Sequence, residues 1–354
     1  INDPNWNGIL LLQSNISVQD FPPELQGLLA GIDLSRFFGH HMGINVNHIS
    51  AGENGELTMS AVSSLFGLID YTDVVFDQYD DDLAKYLANI SPLPGDYNYK
   101  VLSLRVLFEN SAIQNFNSYV QLAINSLFGC SVTTVSNSNI IIFTGSYEDQ
   151  NGDPNYIFNE TGENLLPLNS NALNGIEIVK ASFVTQQPQD GQDSTMVYVK
   201  FSFWGFMNFA EQTFDLYSFG SPSLDGKNQF IPGDGLSYSN MAINMNFAME
   251  TSSVQFFTFD VSQMAFDLGQ SNWRSASLYG HFPLQLTGIL TGDSTSQPSS
   301  QGYIPLPIPG MAGSSSWVGT WYGLVFNLNM GTMGDLTNSL GFNSTMLMDW
   351  TTGP

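Results

Sequence analysis

The chain has 354 residues, with 8 Lys and Arg against 32 Asp and Glu, for a formal net charge of -24 at pH 7. Eight dispersed cations cannot form the basic footprint that displaces counterions from a phosphate backbone, so nucleic-acid binding is excluded and anionic lipid surfaces are disfavoured. Hydrophobic residues make up 42% and charged residues only 11%, which argues for a packed core under a skin of neutral amides and hydroxyls rather than for disorder.

In chain order, the first predicted element follows Pro22-Pro23: Leu25, Leu28, Leu29 and Ile32 give a short helix with Pro near its start. His40, His41 and His48 then fall within nine positions. Gly43 allows a turn that brings His40 towards His48, so these three are candidate metal ligands. Asn54-Gly55 marks a hairpin turn. Asp80, Asp81 and Asp82 precede Leu83, Leu87 and Ile90, a second short helix with carboxylates at the positive end of its dipole.

Beyond residue 100 the dominant pattern is period-two alternation, the mark of half-buried strands. Ile140 to Phe143 is continuously apolar and predicts a strand buried on both faces. Asp149, Asn151 and Asp153 space oxygen donors two apart around Gly152, a candidate calcium loop, although a plain hairpin turn explains the same residues. Glutamines, Pro188 and Asp190-Gly191 predict an exposed loop over 186–193. Val197, Val199, Phe201 and Phe203 then form a wholly apolar face, with Met196, Tyr198, Lys200 and Ser202 opposite. Met241, Ile243, Met245, Phe247 and Met249 repeat the pattern, and Phe257, Phe259 and Val261 continue it.

Trp273 sits among Gln270, Ser271, Asn272 and Arg274, so Trp273 and Arg274 are the candidate ligand-binding pair. The stretch 291–316 is rich in Ser, Gly and Pro, and its alternating prolines at 305, 307 and 309 cannot lie in an interior strand. Asp335 to Leu340 predicts one more helical turn. Both chain ends read as cuts from something longer.

Collinear similarities, such as 101–129 with 241–269, recur at an offset of roughly 140 to 150 residues, one ordinary domain length. The predicted fold is therefore all-β with a few short helices: two tandem β-sandwich or jelly-roll-like units, 1–180 and 181–354, with internal duplication as their candidate origin. Cys130 is the single cysteine, so no internal disulfide forms. With few lysines and a neutral skin, this suits an extracellular, cell-surface or virion-surface protein.

No G-x-S-x-G elbow or phosphate-binding glycine loop occurs in the sequence. The expected role is a non-catalytic structural, assembly or adhesive module of a larger protein, with other copies of itself as partner. The alternatives are a protein that binds or cleaves neutral glycans, and a carrier of an apolar ligand served by the Met-rich strand 241–249. Membrane insertion is not expected, and neither is a cofactor other than candidate Ca2+.

Overall fold

A computed structural model describes residues 8–16, 22–45, 49–59, 65–109, 112–133, 139–150, 153–160, 164–170, 172–210, 219–220, 231–248, 255–273, 284–304, 319–328 and 345–351. The strands are β1 (Gly8–Asn15), β2 (Phe38–Asn45), β3 (Ile49–Ala51), β4 (Leu57–Met59) and β5 (Leu65–Thr72). Two short helices follow, α1 (Val74–Asp77) and α2 (Leu83–Asn89). Then come β6 (Tyr97–Glu109), β7 (Ala112–Ile124), β8 (Ser126–Leu127), β9 (Cys130–Ser131), β10 (Ile140–Gln150), β11 (Asp153–Glu160), β12 (Asn164–Pro167) and β13 (Leu173–Gln186). The last are β14 (Met196–Phe209), β15 (Leu236–Ala248), β16 (Phe256–Asp260), β17 (Ala265–Asp267), β18 (Leu284–Gly292), β19 (Trp321–Leu328) and β20 (Thr345–Thr351).

The fold is all-β, as the alternation predicts, and one antiparallel sheet dominates it. Its path runs β1-β2-β5-β6-β7-β10-β11-β13-β14-β15-β16, with β12 and β17 as short additions to β13 and β15. Consecutive strands along that path are joined in sequence order, so the sheet is a long meander. The boundary expected between residues 180 and 181 lies inside β13, which pairs with β11 and β12 along one edge and β14 along the other.

The sheet curls back on itself. Tyr99 on β6 stacks on Phe183 of β13, four places along the path, with ring centroids 5.9 Å apart. Tyr97 meets Phe257 on β16, at the far end of the path, at 5.6 Å. Inside the curl lies a 3-10 helix, Pro23–Gly31, where the sequence predicts a helix; Leu25, Leu28 and Leu29 are buried. Strand side chains satisfy its backbone: Thr185 Oγ1 accepts from Gly27 N, Tyr99 OH donates to Gly27 O, and Gln255 Nε2 donates to Ala30 O. Gly31 permits this depth, because a Cβ there would stand 2.5 Å from the backbone nitrogen of Val101.

Val197, Val199, Phe201 and Phe203 face this core with Met241, Ile243, Met245 and Phe247, as alternation requires. The run Ile140–Phe143 is buried on both faces for a reason the topology supplies. Ile141 and Phe143 join the main core, while Ile140 and Ile142 lie under α1 and α2 with Phe76 and Tyr86. Asp82 caps α2 by accepting from Lys85 N, as predicted. Asp73 caps α1 and its Oδ2 lies 2.9 Å from Lys100 Nζ.

A three-stranded sheet, β18-β19-β20, closes over one end of the core through an aromatic box. Phe128 stands at its centre, 4.9 Å from Phe259, 5.2 Å from Tyr322 and 6.2 Å from Trp350. Phe128 and Gly129 form the two-residue turn between β8 and β9, both with positive φ (51° and 67°). That is the sign pattern of a type I′ turn, which a bulky residue occupies only when its surroundings hold it there.

The predicted turn at 335–340 and the proline-alternating stretch 305–309 lie outside the described residues. No helix among the described residues is long and apolar enough to cross a membrane.

Candidate functional site

Two places on the molecule carry features that sequence reasoning singled out, and a third feature emerges only from the fold. The first place is β2 with its histidines. Strand alternation alone would put His40 and His41 on opposite faces. The pairing of β2 with β5 slips between them, since His40 faces Leu68 while Gly43 faces Phe66. Two residues, His41 and Met42, therefore stand against Gly67. His41 takes the left-handed conformation (φ 52°) that begins such a bulge. It is exposed, and His40 is half-buried. His48 lies outside the described residues, as do Asn151 and the side chains of Asp149 and Asp153. β10 and β11 pair antiparallel up to Gln150 opposite Asp153. Among the described residues no group of three or more His, Cys, Asp or Glu is placed to hold a metal ion.

The second place is the corner that carries Trp273. Its side chain is 47% exposed, and its backbone bridges to Phe219; Arg274 lies outside the described residues. Beneath it is a buried polar nest. Asn272 N donates to Gly235 O, and Gly220 N donates to Asn272 O. Ser271 Oγ donates to Asp267 O and accepts from Ser237 N. Asn208, fully buried, accepts from Asn174 Nδ2 at 2.8 Å. Glu177, 1% exposed, accepts from Gly233 N through Oε2 at 2.6 Å, while Tyr238 OH donates to the Glu177 carbonyl at 3.0 Å. Burial raises the Tyr238 phenol well above its ordinary value, and the neighbouring Glu177 charge adds to this.

A buried carboxylate accepting from a backbone amide fixes a loop firmly, so this nest orders the 231–235 segment and the support of Trp273. Glu177 had no distinguishing signal in the sequence beyond being an acid in an apolar strand. Glu109, Glu211 and Glu250 likewise lie within or beside apolar stretches of the sequence. Glu109 is exposed, and the other two lie outside the described residues.

The third feature is the edge strand β1. Its sequence, GILLLQSN, contains neither charge nor proline. Ile9 is 60% exposed, Leu11 52% and Leu12 68%. Its inner edge pairs with β2 in regular antiparallel register, Leu11 opposite Met42 and Gln13 opposite His40. Among the described residues nothing pairs with its outer edge.

No family model matches the chain, and no curated protein or solved structure does either. Function must therefore be argued from the surface itself. Five of the six described cations have a partner within the chain. Arg36 approaches Asp77, Lys85 lies between Asp80 and Asp82, Lys100 meets Asp73, and Arg105 meets Asp70. Lys180 sits 4.9 Å above the Trp204 ring, and Lys200 lies within electrostatic range of Asp260. Arg105, Lys85 and Lys180 stay exposed beside these partners, and the rest of the described outward surface is mainly neutral or negative. Of the methionines on the strand expected to serve an apolar ligand, Met241 and Met245 are packed in the main core, and Met249 lies outside the described residues.

Proposed function

We propose that the chain is a non-catalytic assembly module, recognising its partner by neutral and apolar contacts. The observation that carries this is the pairing of two facts. Five of the six described cations sit beside an acid or a ring of the same chain, and the large sheet ends on one side in an uncharged strand with Ile9, Leu11 and Leu12 exposed. Exposed strand edges of this kind template pairing with another chain. A net charge of -24 keeps molecules apart wherever acids face each other, so association is confined to surface without acids. The test is light scattering of the purified chain over a wide concentration range. Mass should rise with concentration, and more steeply as salt screens the acids; a mass fixed at one chain throughout would end the proposal.

Neutral-glycan binding is the second reading, favoured by one observation: Trp273 presents nearly half its surface beside Gln270 and Asn272. Aromatic rings flanked by amides suit sugar faces. A glycan array answers it. Binding that disappears in Trp273→Ala supports it, and an array without signal removes it.

A further inference from the structure

Edges of sheets are ordinarily blunted by short length, charge, proline or cover, and the other described end strands of the large sheet and the three-stranded sheet are. β16, the opposite end of the main sheet, has five residues and ends in Asp260. It is folded towards β6, with Phe257 against Tyr97 and Gln255 Nε2 near Tyr99 O. β20 carries Asp349. β18 has no charge, but its clearly exposed side chains are Gln285, Thr287 and Thr291, and a bulge interrupts its register with β19. Among the described strands β1 alone has eight regular residues, exposed apolar side chains and none of these devices.

Resting on the assembly reading above, we infer that β1 is where two copies of this chain join, edge to edge and antiparallel about a two-fold axis, as a closed dimer. The occupant follows from charge and symmetry. A cationic partner would be drawn to the acid-bearing faces, not to a strand without a carboxylate. An identical β1 brings no acid to the junction. Its antiparallel edge also matches its own hydrogen-bond pattern, so residue i meets residue j and j meets i. The neighbouring strand β2 contributes His40 and His41 but no acid, and Asp70 on β5 is held by Arg105 at 3.1 Å. Head-to-tail growth would need β1 to pair with a different edge, and β16 is short and turned against β6, β18 is interrupted by a bulge, and β20 carries Asp349. The contact therefore closes at two copies.

Eight residues make a junction about 26 Å long. With three apolar side chains on each side, this falls short of the roughly 1,200 Å² of a standard stable interface. The dimer is accordingly weak and reversible.

Sedimentation of the whole chain over a concentration series tests this, alongside Leu11→Lys/Leu12→Lys and a control, Val184→Lys. Leu11 and Leu12 are exposed, so the fold survives the double change, and circular dichroism checks that it has. Val184 is equally exposed (54%) but lies on a sheet face. The expected result is a wild-type mass that levels off at two chains, a dissociation constant raised at least tenfold by the double variant, and no change in the control. Wild-type association that continues past two chains, or that the double variant leaves intact, overturns the β1 dimer while leaving the assembly reading in place. A wild-type chain that stays single at every concentration overturns the assembly reading and the dimer with it.

Discussion

Replacing Phe128 tests how the two sheets are locked together. Its side chain is fully buried and meets three rings on three different strands, two of them edge-on at about 5 Å. Deleting a buried Phe to Ala ordinarily costs about 3 to 5 kcal/mol through lost transfer energy and the cavity left behind. Edge-on ring pairs add roughly 0.5 to 1.5 kcal/mol each beyond burial. Phe128→Ala should therefore fall in the upper half of that range, about 4 to 5 kcal/mol. The backbone makes a sharper test. At φ 51° any residue with a Cβ carries a left-handed penalty of about 1 to 2 kcal/mol, which Ala keeps and Gly avoids. Glycine's extra unfolded-state entropy costs only about 0.5 to 1 kcal/mol. The usual order thus reverses, and Phe128→Gly should be more stable than Phe128→Ala by roughly 0.5 to 1 kcal/mol. Urea unfolding followed by tryptophan emission reads both differences, because Trp350 lines the box. If the glycine variant unfolds at lower urea than the alanine variant, or if Phe128→Ala costs under about 1 kcal/mol, the account of this turn is wrong.

Gly31→Ala should destabilise by about 1 to 3 kcal/mol, since its Cβ would press on the Val101 backbone; thermal melting checks it, and an unchanged melting temperature refutes the close approach. Lys100→Met should cost about 3 kcal/mol by stranding the nearly buried Asp73 carboxylate, and adding Asp73→Asn should recover part of that loss in the same denaturation assay. On the acid side, hydroxyl and amide donors lower three exposed carboxyls in Asp-x-Ser/Thr turns. Ser35 Oγ lowers Asp33, Thr195 N lowers Asp193, and Thr295 Oγ1 holds Asp293 at about 2. A depressed folded value means these turns contribute above the ordinary carboxyl value and lose their contribution as pH falls from about 4 to 2; carboxyl titration by NMR should show it. On the alkaline side burial raises Tyr322 and Tyr156 to about 12. Raised folded values give stability that is complete below about 10 and lost as pH climbs towards 12, so tyrosinate absorbance should appear together with unfolding. Tyrosinate appearing near 10 in a folded chain would contradict it.

What the sequence disclosed was the local part of the problem. The apolar face Val197 to Phe203, the doubly buried run at 140–143 and the Asp82 cap all follow from spacing within a few residues, and all stand in the fold. Which faces meet was not legible, because it depends on partners far apart in the chain. Tyr99 and Phe183 stack only because the sheet curls, and no short pattern encodes curl. His40 and His41 could not be placed by alternation, since a bulge breaks it between them. Trp273 was rightly suspected of exposure from its polar neighbours. The nest below it draws Glu177, Asn208, Gly233 and Ser271 from four separate segments. The edge character of β1 is invisible locally too, since five apolar or glycine residues in a row read equally well as an interior strand until its neighbours are known.

The buried 3-10 helix has a consequence for how the polypeptide is made. Its stabilising contacts reach forward 72 residues to Tyr99, 158 to Thr185 and 225 to Gln255. A ribosome therefore releases this segment long before the last of its acceptors and donors exists. Until Gln255 emerges, the Ala30 carbonyl must find water or a surrogate, and Leu25, Leu28 and Leu29 stay without their full cover. Such long closures make acquisition of the native state slow. They also tie the earliest part of the chain to its final third, so nascent fragments that stop short of residue 255 should attract chaperones or proteases instead of maturing on their own.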